Sequence, residues 1–163
     1  MKQPNKDYIM DIRSKLNNHD LIMVPSATVI PFKDNKVLLQ KRSDTGTWGT
    51  FGGGIQYNEK IQDTAIRELL EESNLECKDI QPFGIYSLFP IEYANKDKVN
   101  AFTIAFICSL KDKNAFKAND GETIEAAWFN IEQIKELTFW NKACKEIIID
   151  AFSFIESKEF ICK

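Results

Sequence analysis

The segment from Gly53 to Leu75 constrains the fold and chemistry of this chain more than any other, and it reads GGIQYNEKIQDTAIRELLEESNL. On a helix that turns about 100° per residue, the carboxylates of Glu68, Glu71 and Glu72 share one face. The opposite face carries the apolar side chains Ile66, Leu69 and Leu70. Carboxylates three and four residues apart repel one another, and more strongly where the site is partly dry. The pattern therefore requires a compensating cation, and Mg²⁺ suits it because this ion takes oxygen ligands and keeps water and phosphate oxygens in its shell.

The same segment resembles the box of the Nudix hydrolase family. That box runs from a glycine through a glutamate and an arginine-glutamate-aliphatic triplet to paired glutamates, a glycine and a last aliphatic residue. The matching residues are Gly53, Glu59, Arg67, Glu68, Leu69, Glu71, Glu72 and Leu75. Asn74 stands where the family has glycine, and asparagine best tolerates the left-handed backbone of such a helix C-cap. Phe51 and Asn58 also replace residues usual in the family, at positions not expected to carry a metal ligand.

Length and composition favour one domain. With 163 residues, of which 44% are hydrophobic, the chain can bury one good core. We expect a single domain over residues 1–163, with residues 1–18 as an N-terminal helical extension. The net charge is −3 with scattered Lys and Arg, which argues against a duplex nucleic acid partner. The polar N-terminal residues argue against a signal peptide, and the lack of a long apolar run argues against a membrane span.

Cysteine usage predicts a reducing, cytoplasmic location. The cysteines are widely spaced and form no CxxC pair: Cys77, Cys108, Cys144 and Cys162. We expect reduced thiols, two of them in the core, rather than a zinc site or a disulfide framework.

Hydrophobic periodicity predicts strands and helices in a mixed order. Strands are expected over residues 21–31, 36–41, 80–89, 99–110 and 126–130, with Lys33-Asp34-Asn35 as a hairpin turn between the first two. Helices are expected over residues 7–16, 60–73, 131–137 and 141–157, and a Gly- and Thr-rich loop over residues 45–54. These elements give an α/β or α+β sandwich. The resemblance implies the Nudix-type α/β/α sandwich around a mixed β-sheet, with a short N-terminal helix and a C-terminal helix.

The resemblance also implies a metal-dependent hydrolase of pyrophosphate linkages. Such linkages resist attack because anionic oxygens shield each phosphorus, so a catalyst must neutralise charge and aim a water in line. The implied ligands of Mg²⁺, or of Mn²⁺ in its place, are Glu68, Glu71, Glu72 and a backbone carbonyl near Gly52 or Gly53. Glu59 is expected to bind a second metal ion or to orient an arginine, and Arg67 to pair with Glu71 one turn later.

The general base stays open between three carboxylates, because it differs among members of the family. The candidates are Glu71, Glu68 and, in the segment before Trp128, Glu122. For Glu122 the alternative is an exposed loop acid without a role in the reaction.

Residues around the glycine run are candidates for substrate contacts. Glycines 52–54 let the backbone approach a phosphate or metal, or form a tight bend. Trp48 and Phe51 are expected to line a base or sugar pocket, with plain core packing as the alternative. Arg42 is a candidate for a substrate phosphate. The lone histidine, His19, lies in a polar turn, so nucleophilic catalysis by a Ser–His or Cys–His pair has no support.

The box indicates a reaction without selecting the substrate. In the family, a proline past the box marks ADP-ribose hydrolases and a tyrosine slightly further on marks dinucleoside polyphosphate hydrolases. Pro90 meets the first description and Tyr93 the second, so the two markers do not decide between these substrates. Tyr93 also begins a segment expected to cover the substrate. The first choice is ADP-ribose or a similar sugar nucleotide.

Alternatives to this substrate remain. The runner-up is a nucleoside triphosphate, including an oxidised purine nucleotide, or a dinucleoside polyphosphate. A hypothesis of a different class is a non-catalytic nucleotide sensor, which the loss of acidic residues from the box would indicate. The resemblance further implies a homodimer.

Overall fold

The computed structural model describes residues 14–15, 22–92, 98–111, 116–118 and 121–163. Its strands are β1 (Ile22–Lys33), β2 (Lys36–Arg42), β3 (Trp48–Gly49), β4 (Phe51–Gly54), β5 (Cys77–Glu92), β6 (Lys98–Leu110), β7 (Thr123–Phe129) and β8 (Ile161–Cys162). Its helices are α1 (Ile61–Ser73), α2 (Ile131–Glu136) and α3 (Lys142–Ser157). Within these described ranges, no helix has the length and apolar character needed to cross a membrane.

Strand β1 organises a mixed sheet. It pairs in parallel with β6, from Ile22 opposite Val99 to Pro31 opposite Cys108. It also pairs antiparallel with β4 and with β2. The sheet continues through β6 to β5 and β8, and through β2 to β3 and β7. Because parallel strands need a long crossover connection, the chain between β1 and β6 has room to carry α1 across the sheet.

The hairpin between β1 and β2 follows from its turn residues. Asp34 and Asn35 adopt left-handed φ values of 50° and 56°, and such a two-residue turn matches the twist of the flanking strands. Lys33 therefore lies opposite Lys36. The predicted hairpin is confirmed.

Helices cover both faces of the sheet, with an apolar cluster beneath each. Leu69 of α1 is fully buried on one face, and Ile134 of α2 and Ile148 of α3 are fully buried on the other. Successive residues of β1 alternate between the clusters, with Val29 beneath α1 and Ile30 beneath α3. This arrangement confirms the α/β/α sandwich around a mixed sheet.

Two predicted features need correction. Residues 45–54, expected as a loop, contain β3 and β4, and β4 pairs with β1 through Gly52 opposite Thr28. Glycines have low strand propensity, so pairing with β1 decides their conformation. Strand β8, which pairs with β5 in parallel, is absent from the predicted elements because its partner is remote in sequence. The predicted helix over residues 7–16 lies almost wholly outside the described residues.

Candidate active site

Helix α1 carries the acidic residues of the box and ends as the sequence predicts. Asn74 adopts a left-handed φ of 61° and donates its N–H to the Leu70 carbonyl, which confirms that asparagine serves as the C-cap here. Before the helix, Asn58 also has a left-handed φ of 61°. Asparagine therefore replaces glycine in a conformation that it tolerates. Since Leu69 is buried against the sheet, its neighbours Glu68 and Glu71 point elsewhere on the helix.

The guanidinium of Arg67 joins three carboxylates of this acidic face. Its Nε and Nη2 donate to the two oxygens of Glu59 at 2.7 and 3.0 Å. Its Nη1 donates to Glu68 Oε1 at 2.6 Å and to Glu71 Oε2 at 3.0 Å. These bonds, led by the one to Glu59, raise the pKa of Arg67 above its usual value despite partial burial. The predicted pairing of Arg67 with Glu71 is present, and Arg67 fixes the rotamers of all three partners.

Glu59 has the geometry of a residue that orients Arg67. Its Oε2 also accepts hydrogen bonds from the Gln56 N–H and the Thr64 hydroxyl, each at 2.9 Å. The hydrogen bonds from Arg67, supported by those from Gln56 and Thr64, lower the pKa of Glu59 to about 2 against the effect of burial. Of the two roles expected for Glu59, this geometry favours orienting the arginine over binding a second metal ion.

Glycines of β4 let the box carboxylates lie against the sheet. A Cβ at Gly53 would come within 2.5 Å of Glu68 Oε1, so a larger residue would displace that carboxylate. The Gly52 N–H donates to Glu72 Oε2 at 3.0 Å. Gly52 itself has a φ of 148°, and a Cβ there would come within 2.2 Å of the Ala27 carbonyl oxygen. Strand β4 and helix α1 therefore place two carboxylates beside adjacent glycines.

Burial and charge act together on these carboxylates. Glu72 is only 2% exposed. Burial raises the pKa of Glu68, and the negative charges of Glu71 and Glu122 act in the same direction, against the bonds from Arg67. A cation beside Glu68 would offset both effects.

The donor set fits a hard divalent cation. Mg²⁺ is usually held by one or two carboxylates together with water and substrate phosphates, and Glu68 and Glu72 supply carboxylate oxygens beside the β4 backbone. Among the residues that the structure describes, no three acidic, histidine or cysteine side chains stand in ready-made metal-binding geometry. Arg67 instead holds Glu68 and Glu71.

A cavity of about 340 Å³ lies next to these carboxylates, within the size range of small-molecule sites. Its charged lining residues include Glu68, Glu122 and Arg42. Its neutral polar lining residues include Ser26, Thr28, Thr50, Thr103 and Asn141. Its larger apolar lining residues are Val99, Trp140 and Ile147. The cavity therefore combines charge, hydroxyl groups and an aromatic surface.

The hydroxyl groups of the cavity are held by one another. Ser26 Oγ lies 2.7 Å from Thr103 Oγ1, and Thr28 donates to the Thr50 hydroxyl at 2.5 Å. The Gln40 amide donates to the Thr50 carbonyl at 2.9 Å. Because a hydroxyl combines one donor with two acceptor sites, these groups keep capacity for a ligand.

Arg42 and Trp140 form a second pair on the cavity wall. The Arg42 guanidinium carbon lies 5.2 Å from the centroid of the Trp140 ring, within cation–π distance. Its Nε and Nη2 donate to the Asp44 carboxylate at 2.9 and 2.7 Å. A Cβ at Gly49 would lie 3.1 Å from Trp140 Cδ1, so the small residue leaves room for the indole. The structure thus places the predicted residue Arg42 in the cavity.

The tertiary structure also brings Glu122 to the cavity, directly before β7. Its carbonyl accepts the Ser43 N–H at 2.8 Å, and the hydroxyl of Thr123 donates to the buried Gln40. These bonds attach the start of β7 to β2, which ends at Arg42.

The aromatic residues predicted to line the pocket belong to the core. Phe51 is fully buried in the cluster beneath α1, so it offers no surface to a substrate and follows the alternative of plain core packing. The reason is the strand conformation of β4, which turns Phe51 inward. Trp48 packs edge-on against Phe129 with ring centroids 4.6 Å apart, and it is not among the described residues of the cavity wall. Tyr93 lies outside the described residues.

Sequence reasoning missed Trp140 and Asn141 as cavity residues. Asn141 caps α3, since its side chain accepts the Cys144 N–H at 2.7 Å, and Trp140 directly precedes this N-cap. The available signal was a tryptophan directly before an N-cap, which would not by itself indicate a pocket.

The chain belongs to the Nudix family, since the NUDIX domain model matches residues 23–150, and it is a pyrophosphohydrolase of that family. It is 31% identical over 122 residues to the oxidized purine nucleoside triphosphate hydrolase of Mus musculus, with 69% of each chain covered. It is 30% identical over 130 residues to the ADP-ribose pyrophosphatase of Methanocaldococcus jannaschii, covering 76% of this chain and 73% of the relative.

A solved structure shares the fold. The NUDIX domain of Shewanella oneidensis NrtR complexed with ADP ribose has a TM-score of 0.65 at 19% identity, covering 94% of this chain and 99% of that one. At this identity the likeness shows the fold alone.

Proposed function

We propose that this Nudix hydrolase cleaves the pyrophosphate linkage of a sugar-linked nucleoside diphosphate such as ADP-ribose, with Mg²⁺ as its metal ion. The observation that carries the proposal is the lining of the cavity. Among the described lining residues, Arg42 is the only cationic side chain, whereas five are neutral hydroxyl or amide groups. A diphosphate joined to a sugar suits a lining with one cation and several neutral polar groups. Sugar hydroxyls can hydrogen-bond to the neutral groups, and a diphosphate has fewer phosphate charges to neutralise than a triphosphate.

Glu68 and Glu72, with the β4 backbone at Gly52 or Gly53, would hold the metal ion. Glu71 is the further ligand that the family resemblance adds. When bound, the ion neutralises phosphate charge and lowers the pKa of a coordinated water. These residues would bind and orient the metal ion at the end of the cavity that Glu68 lines.

The remaining residues position the substrate. Arg42 would bind a phosphate oxygen through the guanidinium that now contacts Asp44. Trp140 offers its ring as a surface for the nucleotide base. Glu68 and Glu122 line the cavity and are the carboxylates placed to accept the proton of the attacking water. Glu71 is not among the described lining residues of the cavity, which makes it the weaker candidate.

The runner-up substrate is a nucleoside triphosphate, including an oxidised purine nucleotide. The mouse relative named for that activity supports it at 31% identity, about the same level as the ADP-ribose pyrophosphatase at 30%. Sequence identity therefore does not separate the two substrates. A non-catalytic sensor has less support because all the box acids are retained. A cytoplasmic location and a homodimer remain predictions from composition and resemblance.

A substrate panel with Mg²⁺ tests the proposal. Hydrolysis of ADP-ribose yields two phosphomonoesters, so a phosphatase added afterwards releases phosphate only if the linkage is cut. Triphosphates are assayed by released pyrophosphate with a coupled inorganic pyrophosphatase, and dinucleoside polyphosphates by product chromatography. We expect kcat/KM for ADP-ribose to exceed that for every triphosphate by about tenfold or more. A tenfold advantage for a triphosphate would establish the runner-up instead.

A variant at Trp140 tests the binding geometry. Removing a stacking surface worth about 1–2 kcal/mol should raise KM about tenfold in Trp140→Ala with little change in kcat. Phe160→Ala is the matched control, because Phe160 is an exposed aromatic residue outside the described cavity wall. An unchanged KM in Trp140→Ala across the panel would remove Trp140 from the binding site.

A further inference from the structure

Two cysteines lie on adjacent strands beneath α1, outside the described cavity wall. Cys77 begins β5, and Cys108 lies near the end of β6, which pairs antiparallel with β5. Cys77 stands opposite Leu110, two residues beyond Cys108, and the register shifts between Cys77 and Asp79. Residues two apart on a strand share a face, and both cysteines belong to the apolar cluster that packs against α1. The strand pairing therefore brings the two side chains to the same place.

The two thiols are in contact. The Cys108 thiol donates a hydrogen bond to the Cys77 sulfur. Cys108 is 4% exposed, whereas Cys77 is only half-buried. A dissolved reagent therefore reaches Cys77 more readily than Cys108.

The surroundings favour a thiolate at the accessible sulfur. The hydrogen bond from Cys108 and the positive charge of Lys111 lower the pKa of Cys77 against the effect of burial. Lys111 is held at this position by Glu76, with Nζ 2.8 Å from the carboxylate. The same hydrogen bond, together with burial, raises the pKa of the Cys108 thiol. A partly exposed cysteine with a lowered pKa, beside a buried thiol with a raised pKa, has the features of an attacking and a resolving cysteine.

We propose that Cys77 and Cys108 form a reversible oxidation site, which a glutathione disulfide closes to a protein disulfide between β5 and β6. The Cys77 thiolate attacks one sulfur of glutathione disulfide, forming a mixed disulfide and releasing one glutathione thiolate. The Cys108 thiol then gives its proton to solvent, and its sulfur attacks the Cys77 sulfur and releases the second glutathione thiolate. Two protein thiols are oxidised, and one glutathione disulfide is reduced to two glutathiones.

The other cysteines provide internal comparisons. Cys144 lines the cavity on the opposite side of the sheet, and Cys162 is exposed on β8. Neither contacts Cys77 in the described structure, so both should stay out of the disulfide. Leu69 and Leu75 of the box pack in the cluster that holds Cys108, which places the oxidation site beneath the catalytic helix rather than in the substrate cavity.

Peptide mapping of the full chain tests the proposal. The chain with Cys162→Ser is reduced, freed of reductant, treated with glutathione disulfide while folded, quenched in acid and capped with a maleimide. Trypsin cuts after Lys78, Lys98 and Lys111, so Cys77 and Cys108 leave on separate peptides. We expect those two peptides to be joined by a disulfide that dithiothreitol separates. In Cys108→Ala, the Cys77 peptide should instead carry glutathione, at about ten times its level in the chain that keeps Cys108.

Two results would overturn the proposal. One is equal glutathione on Cys77 with and without Cys108, and the other is an unreacted Cys77 in both chains. The unfolded protein in urea is the control for structure: links that include Cys144 should appear there and be rare in the folded chain. If circular dichroism shows that Cys108→Ala does not fold, this comparison decides, and equal Cys144 linkage in folded and unfolded samples would contradict the proposal.

Discussion

Helices α1 and α3 lie on opposite faces of one sheet, yet they bury different kinds of side chain. The buried residues of α3 are all apolar: Cys144, Ile147, Ile148, Ala151, Phe152 and Phe154. Those of α1 include a carboxylate and two hydroxyls: Thr64, Ala65, Leu69, Glu72 and Ser73. Burying a charge costs free energy unless it is paired. Apolar packing therefore stabilises the face under α3, which also supplies Cys144 and Ile147 to the cavity wall, whereas the face under α1 gives up some stability to bury a carboxylate.

The N-termini of α1 and α3 also differ, because only that of α3 has a stabilising side-chain cap. At α3, the Asn141 side chain accepts the Cys144 N–H, a cap that stabilises a helix. At α1, the N-cap Lys60 makes no side-chain cap bond, and Glu59 just before it is bonded to Arg67 instead. The start of α1 thus positions the charged network rather than capping the helix.

Removing divalent cations should have the largest effect. If the acidic face of α1 serves a metal ion, a chelator abolishes hydrolysis and Mg²⁺ or Mn²⁺ restores it. Circular dichroism should show the fold intact throughout, because the apolar cluster beneath α3 does not depend on metal. Full activity after elemental analysis has verified the absence of metal would contradict a metal role for α1.

A core truncation on the other face comes next. Ile148→Ala should lower the free energy of unfolding by about 2–5 kcal/mol, since Ile148 is fully buried and a cavity would remain. At a temperature where the variant is folded, kcat should stay within about threefold of wild type. Urea denaturation and steady-state kinetics measure the two quantities. A large loss of kcat in the folded variant would contradict the separation between the apolar packing under α3 and the acidic face of α1.

The nearly isosteric Glu72→Gln change tests the acidic face of α1. It removes a charge next to Gly52 while the amide oxygen can still accept that N–H, so kcat should fall about 10²-fold, roughly 2.7 kcal/mol. The free energy of unfolding in chelator should change little. Glu146→Gln on α3 is the matched control, since Glu146 pairs with Lys163 at the surface. Near-normal turnover in Glu72→Gln would reduce Glu72 to a structural residue.

The smallest effect concerns Glu59, whose pKa of about 2 lies below its ordinary value of 4.5. Because the folded pKa is the lower one, the contribution of Glu59 to stability is full above the unfolded pKa and is lost as the pH falls through the folded value. Glu59→Gln should therefore cost about 1 kcal/mol at neutral pH. In urea titrations this difference should shrink between pH 4.5 and about 2. A difference that stays constant over this window would exclude the linkage.

The acidic helix α1 was predictable because the residues that interact on it are close in sequence. Arg67 and Glu71 lie one turn apart and pair as the spacing indicates, and Asn74 ends the helix in the left-handed conformation expected of it. The apolar spacing of α3 likewise identified its buried face, from Cys144 to Phe152.

The substrate cavity was predictable only in part. Arg42 and Glu122 were candidates from their types and positions, and both line the cavity. Trp140 was missed and Phe51 was left open between the pocket and the core, because their positions depend on how β4 pairs with β1 and on where α3 begins. A shift of one residue in strand register exchanges the inner and outer side chains, and no pattern within β4 itself specifies that register.

The sequence by itself determined the acidic helix, the turn between β1 and β2, the core-facing helix α3 and the family of the reaction. Each of these rests on residues a few positions apart, whose interactions follow directly from helical or turn geometry. Only the tertiary structure placed Trp140 against Arg42 and the thiol of Cys108 against Cys77. These contacts join segments remote in sequence, so they exist only once strand pairing and helix packing have set the distances between them.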